Sequence, residues 1–433
     1  MSATPEADII KTMFEVKTTR VLALMLMACV VGHSGATTPL QKVGSFAYAH
    51  PSFLSVFPTG LEGSGSPALT LTSFQAFGSG SVSAIRSIGA WFNSSSGAPD
   101  IETLGSLSWP NQMTLAPASA LDASPALVLG DGFLVPGHST GSVYAIRVGG
   151  GDPIALAPEK KEYFYHKAHL RDMDGDGDLD ILTARGTKPV FGTAGGDLVW
   201  LRNPGGASPL DSAPWDLTTI SSKGCDFELA WSDMDAADDV IEVWCPSFFS
   251  QELVLHVVGA SNGSLITSRV IDSGLPLESI GLVDLDADGK DEIVVNSHSD
   301  KPADSVVLAY EIPPAGSLLS GSYVRHVLAS GFNTTEGGFG PQASPGFVTP
   351  VFPTTTPSSS ERPLLVVAGD GAQSGFLLVP AQGSKWDYTL ELIVDVHGVV
   401  GIIAAGDVNL DGYTDLFIPD YDSGVIYAYT FAP

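Results

Sequence analysis

Acidic residues fall at every second position in HLRDMDGDGDLDILTA, residues 169–184, as Asp172, Asp174, Asp176, Asp178 and Asp180. Counting Asp172 as the first loop position, acids stand at positions 1, 3, 5 and 9, and Gly177 stands at position 6. Alternate side chains of a tightly curled loop converge on one point, the glycine permits the turn, and the main-chain carbonyl of position 7 can add another oxygen. Several hard oxygens with no nitrogen or sulfur make a Ca²⁺ environment, whereas Zn²⁺ would call for His or Cys. The pattern recurs at Asp284, Asp286, Asp288, Gly289 and Glu292, with Lys290 at the carbonyl position. It recurs again at Asp407, Asn409, Asp411, Gly412 and Asp415, with Tyr413 at that position. One acidic turn alone is as readily a solvated loop; three in register predict about three Ca²⁺ sites, of a spacing distinct from the EF-hand, whose last acid comes at position 12. A fourth segment, Asp233, Asp235, Asp238 and Asp239, lacks the fifth-position acid and the glycine, and is expected to be empty or weak.

The elements that hold these loops repeat with them. Short apolar runs flank each loop in LAWSDMDAADDVIEVW (229–244), IGLVDLDADGKDEIVV (280–295) and IAAGDVNLDGYTDLFI (403–418). A third run follows a turn: GSVSAI (80–85), GSVYAI (141–146), GDLVWL (196–201), QELVLHV (251–257), DSVVLAY (304–310), SGFLLV (374–379) and SGVIYAY (423–429). Their spacing, roughly 50 to 70 residues, is that of a four-stranded β-unit. Each unit reads as a hairpin around the loop, a third strand, and a more polar fourth strand such as YVRHVLA (323–329). A four-stranded sheet cannot bury both faces alone, so the units are expected to pack face to face around an axis as an all-β, seven-bladed β-propeller with no helix of sustained periodicity.

The chain stops after the third strand of its last unit. LQKVGSFAY (40–48) is therefore expected to supply the missing fourth strand and close the ring. FPTTTPSSSERP (352–363) reads as a solvated Pro/Ser/Thr-rich insertion in the sixth unit.

Composition narrows the partners. The chain has 433 residues, with 48 Asp+Glu against 20 Lys+Arg and a net charge of −28. Such a polyanion repels nucleic acid and anionic lipid, so neither is expected as a partner. Hydrophobic residues make up 44% of the chain, enough for a large core. Lys11, Lys17 and Arg20 precede the apolar run at 21–31, and Ser34, Gly35 and Ala36 offer a cleavage site, so residues 1–36 read as a secretory signal and 37–433 as one propeller domain. The apolar run is too short to span a bilayer, so no membrane insertion is expected. Export leaves Cys225 and Cys245, placed nearly symmetrically about the fourth acidic segment and expected to bridge neighbouring strands. The sequons at Asn93, Asn262 and Asn333 agree with a secreted glycoprotein. A soluble, extracellular monomer is the expectation.

DMDGDGDLDILTA (172–184) followed by GGDLVWLRNPG (195–205) is similar to the VCBS form of the calcium-bearing repeats, and the other units resemble integrin-type FG-GAP repeats. The resemblance covers nearly the whole chain after the signal, strongly from 163 to 431 and weakly from 51 to 148. It implies a seven-bladed propeller with Ca²⁺ in the loop between the first two strands of several blades, but not in the first, second or sixth.

The strongest catalytic pattern is Gly137-His138-Ser139-Thr140-Gly141, a GxSxG followed by the strand-like SVYAIRV. A nucleophile elbow needs a helix there, so this segment reads as a turn. The leading expectation is a non-enzymatic binding module for an extracellular protein or a glycan. The alternative is an enzyme, a lyase or glycoside hydrolase acting on extracellular polysaccharide.

Overall fold

The computed structural model describes residues 40–433 apart from 76–77, 135–137, 139, 190–191, 236–238 and 338–339; the segment 1–36 expected to be a signal lies outside them. Seven antiparallel sheets follow one another along the chain and form a seven-bladed propeller. Six blades come from continuous segments: 51–107, 110–155, 163–221, 230–273, 277–330 and 348–395. Blade seven takes its first three strands from 404–430 and its outer strand from the other end of the chain.

The second strand of each blade explains why the units need one another. Val240–Ser247, Glu292–Ser297 and Asp415–Asp420 are buried almost end to end, because the neighbouring blade covers each face. Between blades three and four, for example, Leu182, Ala184 and Leu198 pack against Ile241, Val243 and Val258. Outer strands such as Tyr388–Asp395 keep several exposed positions.

Ring closure is as expected. Gln41–Ala47 runs antiparallel to Val425–Thr430, pairing Phe46 with Ile426 and Ala47 with Val425. Phe46 is 5% exposed, and its ring meets Trp91 edge-on at 4.9 Å.

Two expectations gain detail, and one, the placement of Cys225 on a strand, needs correction. A short helix, Ile88–Ser94, interrupts the first blade, where Ile88, Trp91 and Phe92 plug the join with blade seven. Seven residues are too few for a periodic signal in sequence. The insertion at 352–363 is exposed in its middle but anchored at both ends, and it occupies the slot that an acidic loop takes in blades three, five and seven. Thr355 N–H donates to Gly412 O at 3.0 Å, and Thr414 N–H donates to Pro353 O at 2.9 Å. At the other end Arg362 Nε donates to Leu285 O at 2.9 Å. The insertion therefore touches the acidic loops of both flanking blades.

The disulfide Cys225–Cys245 forms, but Cys225 stands in the segment leading into blade four, with φ 58°, and not on a strand. Only Cys245 lies on a strand of the sheet, in Val240–Ser247. Both cysteines are fully buried against Leu229, Val243 and Val258. The bridge closes a loop with a sequence separation of 20. Replacing both cysteines by alanine is expected to cost about 3 kcal/mol, chiefly by freeing the unfolded chain, read as a lower urea midpoint with a slope that rises as the unfolded chain expands.

Candidate metal centres and the opposite face

The three loops share one backbone. Position 4 takes a left-handed conformation in each, at Gly175 (φ 75°), Ala287 (φ 60°) and Leu410 (φ 61°). Position 6 does the same at Gly177 (φ 94°), Gly289 (φ 84°) and Gly412 (φ 89°). A side chain at position 4 costs backbone strain, and Leu410 nevertheless points its side chain outward, 64% exposed.

The hydrogen bonds repeat as well. The first aspartate caps the turn: Asp172 Oδ2 accepts Gly177 N–H at 3.0 Å, Asp284 Oδ2 accepts Gly289 N–H at 2.8 Å and Asp407 Oδ2 accepts Gly412 N–H at 2.9 Å. The closing acid opens the second strand and receives the N–H of position 2, at 2.9 Å for Met173 to Asp180, 2.8 Å for Leu285 to Glu292 and 3.0 Å for Val408 to Asp415. Met173, Leu285 and Val408 themselves are buried and pin the loops to the core.

Asp172, Asp174 and Asp180 bring one oxygen each to within 4.8 Å of one another, as do Asp284, Asp286 and Glu292. The third loop has Asn409 in place of one carboxylate; its Nδ2 donates to Asp411 Oδ2 at 2.9 Å. The fifth-position acids turn back on the loop. Asp176 Oδ1 accepts Asp178 N–H at 3.0 Å, Asp288 Oδ1 accepts Lys290 N–H at 3.0 Å and Asp411 Oδ1 accepts Tyr413 N–H at 2.9 Å. Asp178 Oδ2 lies beside Gly205, where an added Cβ would sit at 2.9 Å.

Burial drives the closing carboxyls upward, with neighbouring aspartates adding to it: Asp180 to about 6, Glu292 to about 7 and Asp415 to about 7. A divalent cation among them favours their ionised forms. Two side-chain cations already lie on position-3 acids. Arg202 Nε is 2.6 Å from Asp174 Oδ2, and Lys385 Nζ pairs with Asp286. An all-oxygen donor set around half-buried carboxylates fits calcium.

The fourth segment shows a residue that spacing alone misses. Glu242 Oε2 accepts Met234 N–H at 3.1 Å, the bond made by the closing acid elsewhere, but one residue later in the loop. The signal was present: an acid followed by two apolar strand residues occurs in Asp180-Ile-Leu, Glu292-Ile-Val, Asp415-Leu-Phe and Glu242-Val-Trp. Asp238 lies outside the described residues. Cys225, Cys245 and His256 also cluster, but the disulfide removes both sulfurs as ligands.

The opposite face carries aromatic rings. Rings from blades one, three, four and six meet across the axis: His166 lies 5.0 Å from Phe53, 5.7 Å from Phe227 and 5.2 Å from Phe347. Above them Trp109 stacks between Phe74 at 4.2 Å and Phe133 at 5.5 Å, and Tyr421 lies 5.6 Å from Phe74. Phe248 stands 6.2 Å from His298, whose ring nitrogens are 3.5 Å from Glu278 and 3.6 Å from Asp370. Burial alone would lower the His298 pKa, but the two carboxylates outweigh it and the net shift is upward. The tryptophans at 91, 109, 200, 215 and 244 are core, while Trp231 and Trp386 are half-buried.

His166 is 3% exposed, its Nδ1 has no hydrogen-bond partner, and burial pushes its pKa down to about 3. A folded pKa below the unfolded value of about 6.5 gives stability that is complete above pH 6.5 and is lost as pH falls toward 3, at about 1.4 kcal/mol per pH unit. His166→Phe keeps a ring in the same slot and removes the proton. The variant is expected to lose less stability than the parent between pH 6.5 and 4.5, measured by urea unfolding at each pH; parallel acid limbs would refute this. Asp131 and Asp226, both pushed up to about 6 by burial, act with the opposite sign in both proteins and cancel in the comparison.

The sequons at Asn93, Asn262 and Asn333 are all exposed. Asn262 Oδ1 accepts Ser264 Oγ–H at 2.6 Å. In GHSTG, Thr140–Gly141 is a short strand and the strand Val143–Arg147 follows, so no helix stands where an elbow would need one. No helix among the described residues is long and apolar enough to cross a membrane.

No family model matches the chain, and no curated protein matches its sequence. Among solved structures it is similar to the Dos1 propeller, at 8% identity and a TM-score of 0.47, over 91% of this chain and 96% of that one. It is also similar to a puromycin-hydrolysing peptidase of Mycobacterium tuberculosis, at 12% identity and a TM-score of 0.43, over 90% of this chain and 56% of that one.

Proposed function

We propose that this chain is a secreted, calcium-stabilised propeller of the VCBS/FG-GAP kind that acts as a non-catalytic binding module for an extracellular protein or glycan. The observation that carries the reading is the threefold recurrence of one loop: left-handed backbone at positions 4 and 6, a capping aspartate at position 1, and a buried closing acid bonded to the N–H of position 2. A solvated turn has no reason to repeat a strained position 4 together with carboxylates whose burial disfavours their charge. Calcium offsets both costs. The buried disulfide and the exposed sequons support an oxidising, secretory setting. The metal is structural, since each loop ties the first strand of its blade to the second. The turns of the opposite face are then left to meet a partner.

Calorimetric titration of chelator-stripped protein with CaCl₂ tests the reading. About three equivalents are expected, with Mg²⁺ a poor substitute because it demands stricter octahedral geometry. Asp284→Asn should remove one equivalent and leave the others. No heat at millimolar calcium would overturn the proposal.

A further inference from the structure

On the face opposite the metal loops, a polar cavity of about 410 Å³ opens between blades one and two. Four hydroxyl residues, Ser106, Ser108, Thr140 and Tyr144, and two carboxylates, Asp131 and Glu159, account for its polar lining. Leu107 and Pro153 give it small apolar walls. No Lys or Arg is among the described residues that line it; Lys160 and Lys161 follow Glu159 on a short strand paired with Thr140 and Gly141.

The site is built and not a mere gap. Asp131 is 2% exposed and is held by the Trp109 N–H at 2.7 Å, so its carboxylate is fixed in direction. Ser108 Oγ is fixed behind the lining by its bond to Nδ1 of the buried His138 at 2.9 Å. Tyr144 O–H donates to Glu159 Oε1 at 2.5 Å, pairing a donor-acceptor with an acceptor across the opening.

We infer that this cavity binds an uncharged sugar residue. Fixed carboxylates accept hydrogen bonds from sugar hydroxyls, while the Ser, Thr and Tyr hydroxyls can both give and receive them. The volume lies in the range of small-ligand pockets. Anionic ligands meet the two carboxylates of the lining, and lipids meet too little apolar wall. The inference rests on the binding-module reading and chooses its glycan branch, yet it is independent of calcium, because the two blades that form the cavity carry no metal loop.

Saturation-transfer NMR with glucose, galactose, mannose, fucose and N-acetylglucosamine tests it, on the parent and on Tyr144→Phe and Glu159→Gln. Both substitutions are conservative and lie at a partly open surface, so folding is checked by the melting temperature and is expected to hold. At least one sugar should bind saturably, with an affinity weakened about tenfold or more in each variant. The same titration is run with calcium and with chelator. Binding that persists in chelator, while calcium proves not to bind the loops, would sink the metal reading and leave the sugar site standing. Absence of binding by all five sugars, or binding unchanged in both variants, would overturn the sugar site alone.

Discussion

Removal of residues 1–48 is expected to abolish cooperative folding or to lower the melting temperature by well over 10 °C, an effect estimated from the loss of a core aromatic and a full strand ladder. The reason is topological. Gln41–Ala47 is the fourth strand of the last blade, paired along Val425–Thr430. Without it the row of N–H and C=O groups on that third strand is left unpaired, and Phe46, Ile426 and Ala428 lose their shared core with Leu69, Phe417 and Trp91. Phe46→Ala alone should cost about 3–5 kcal/mol. Gln41–Ala47 is a paired strand and not a tail, so a truncated protein that melts with the parent would contradict the closure outright. The same logic requires any processing of the signal to stop before Gln41.

Much of this architecture is legible in the sequence because each blade repeats the same physical solution. An apolar second strand buried on both faces reads as an uninterrupted run such as EIVVNS, and the turn before it reads as Asp, Asp, Asp, Gly. The missing fourth strand is legible by counting. The helix Ile88–Ser94 is not, since its seven residues make too short a pattern and its job is to fill one join. The anchoring of 352–363 is equally hidden. Its composition is that of a solvated loop, but its ends bond to carbonyls and amides, which any sequence supplies; Arg362 alone marked one of them. Glu242 was obscured by a one-residue lengthening of its loop, and the aromatic cluster by distance in sequence, since Phe53, His166, Phe227 and Phe347 come from four different blades.

Calcium removal carries the second large effect. Extracellular calcium modules bind with Kd of about 10⁻⁴ to 10⁻³ M, so at millimolar calcium each loop of the tighter kind contributes about 1.4 kcal/mol and three contribute about 4. Lys385 and Arg202 moderate the loss in the first two loops by standing near the bared aspartates. No basic side chain pairs with the carboxylates of the third loop among the described residues, so blade seven should loosen first. That blade also carries the closure, and the two effects should therefore compound: a chelated protein with Phe46→Ala is expected to be less stable than the separate losses predict.

The most direct measurement is the melting temperature of the intact chain in millimolar CaCl₂ and in excess chelator, at neutral pH and fixed ionic strength. The account predicts a fall of about 5 °C on chelation for a domain of this length, restored by calcium and not by an equal concentration of magnesium. Identical melting curves in calcium and chelator would contradict it.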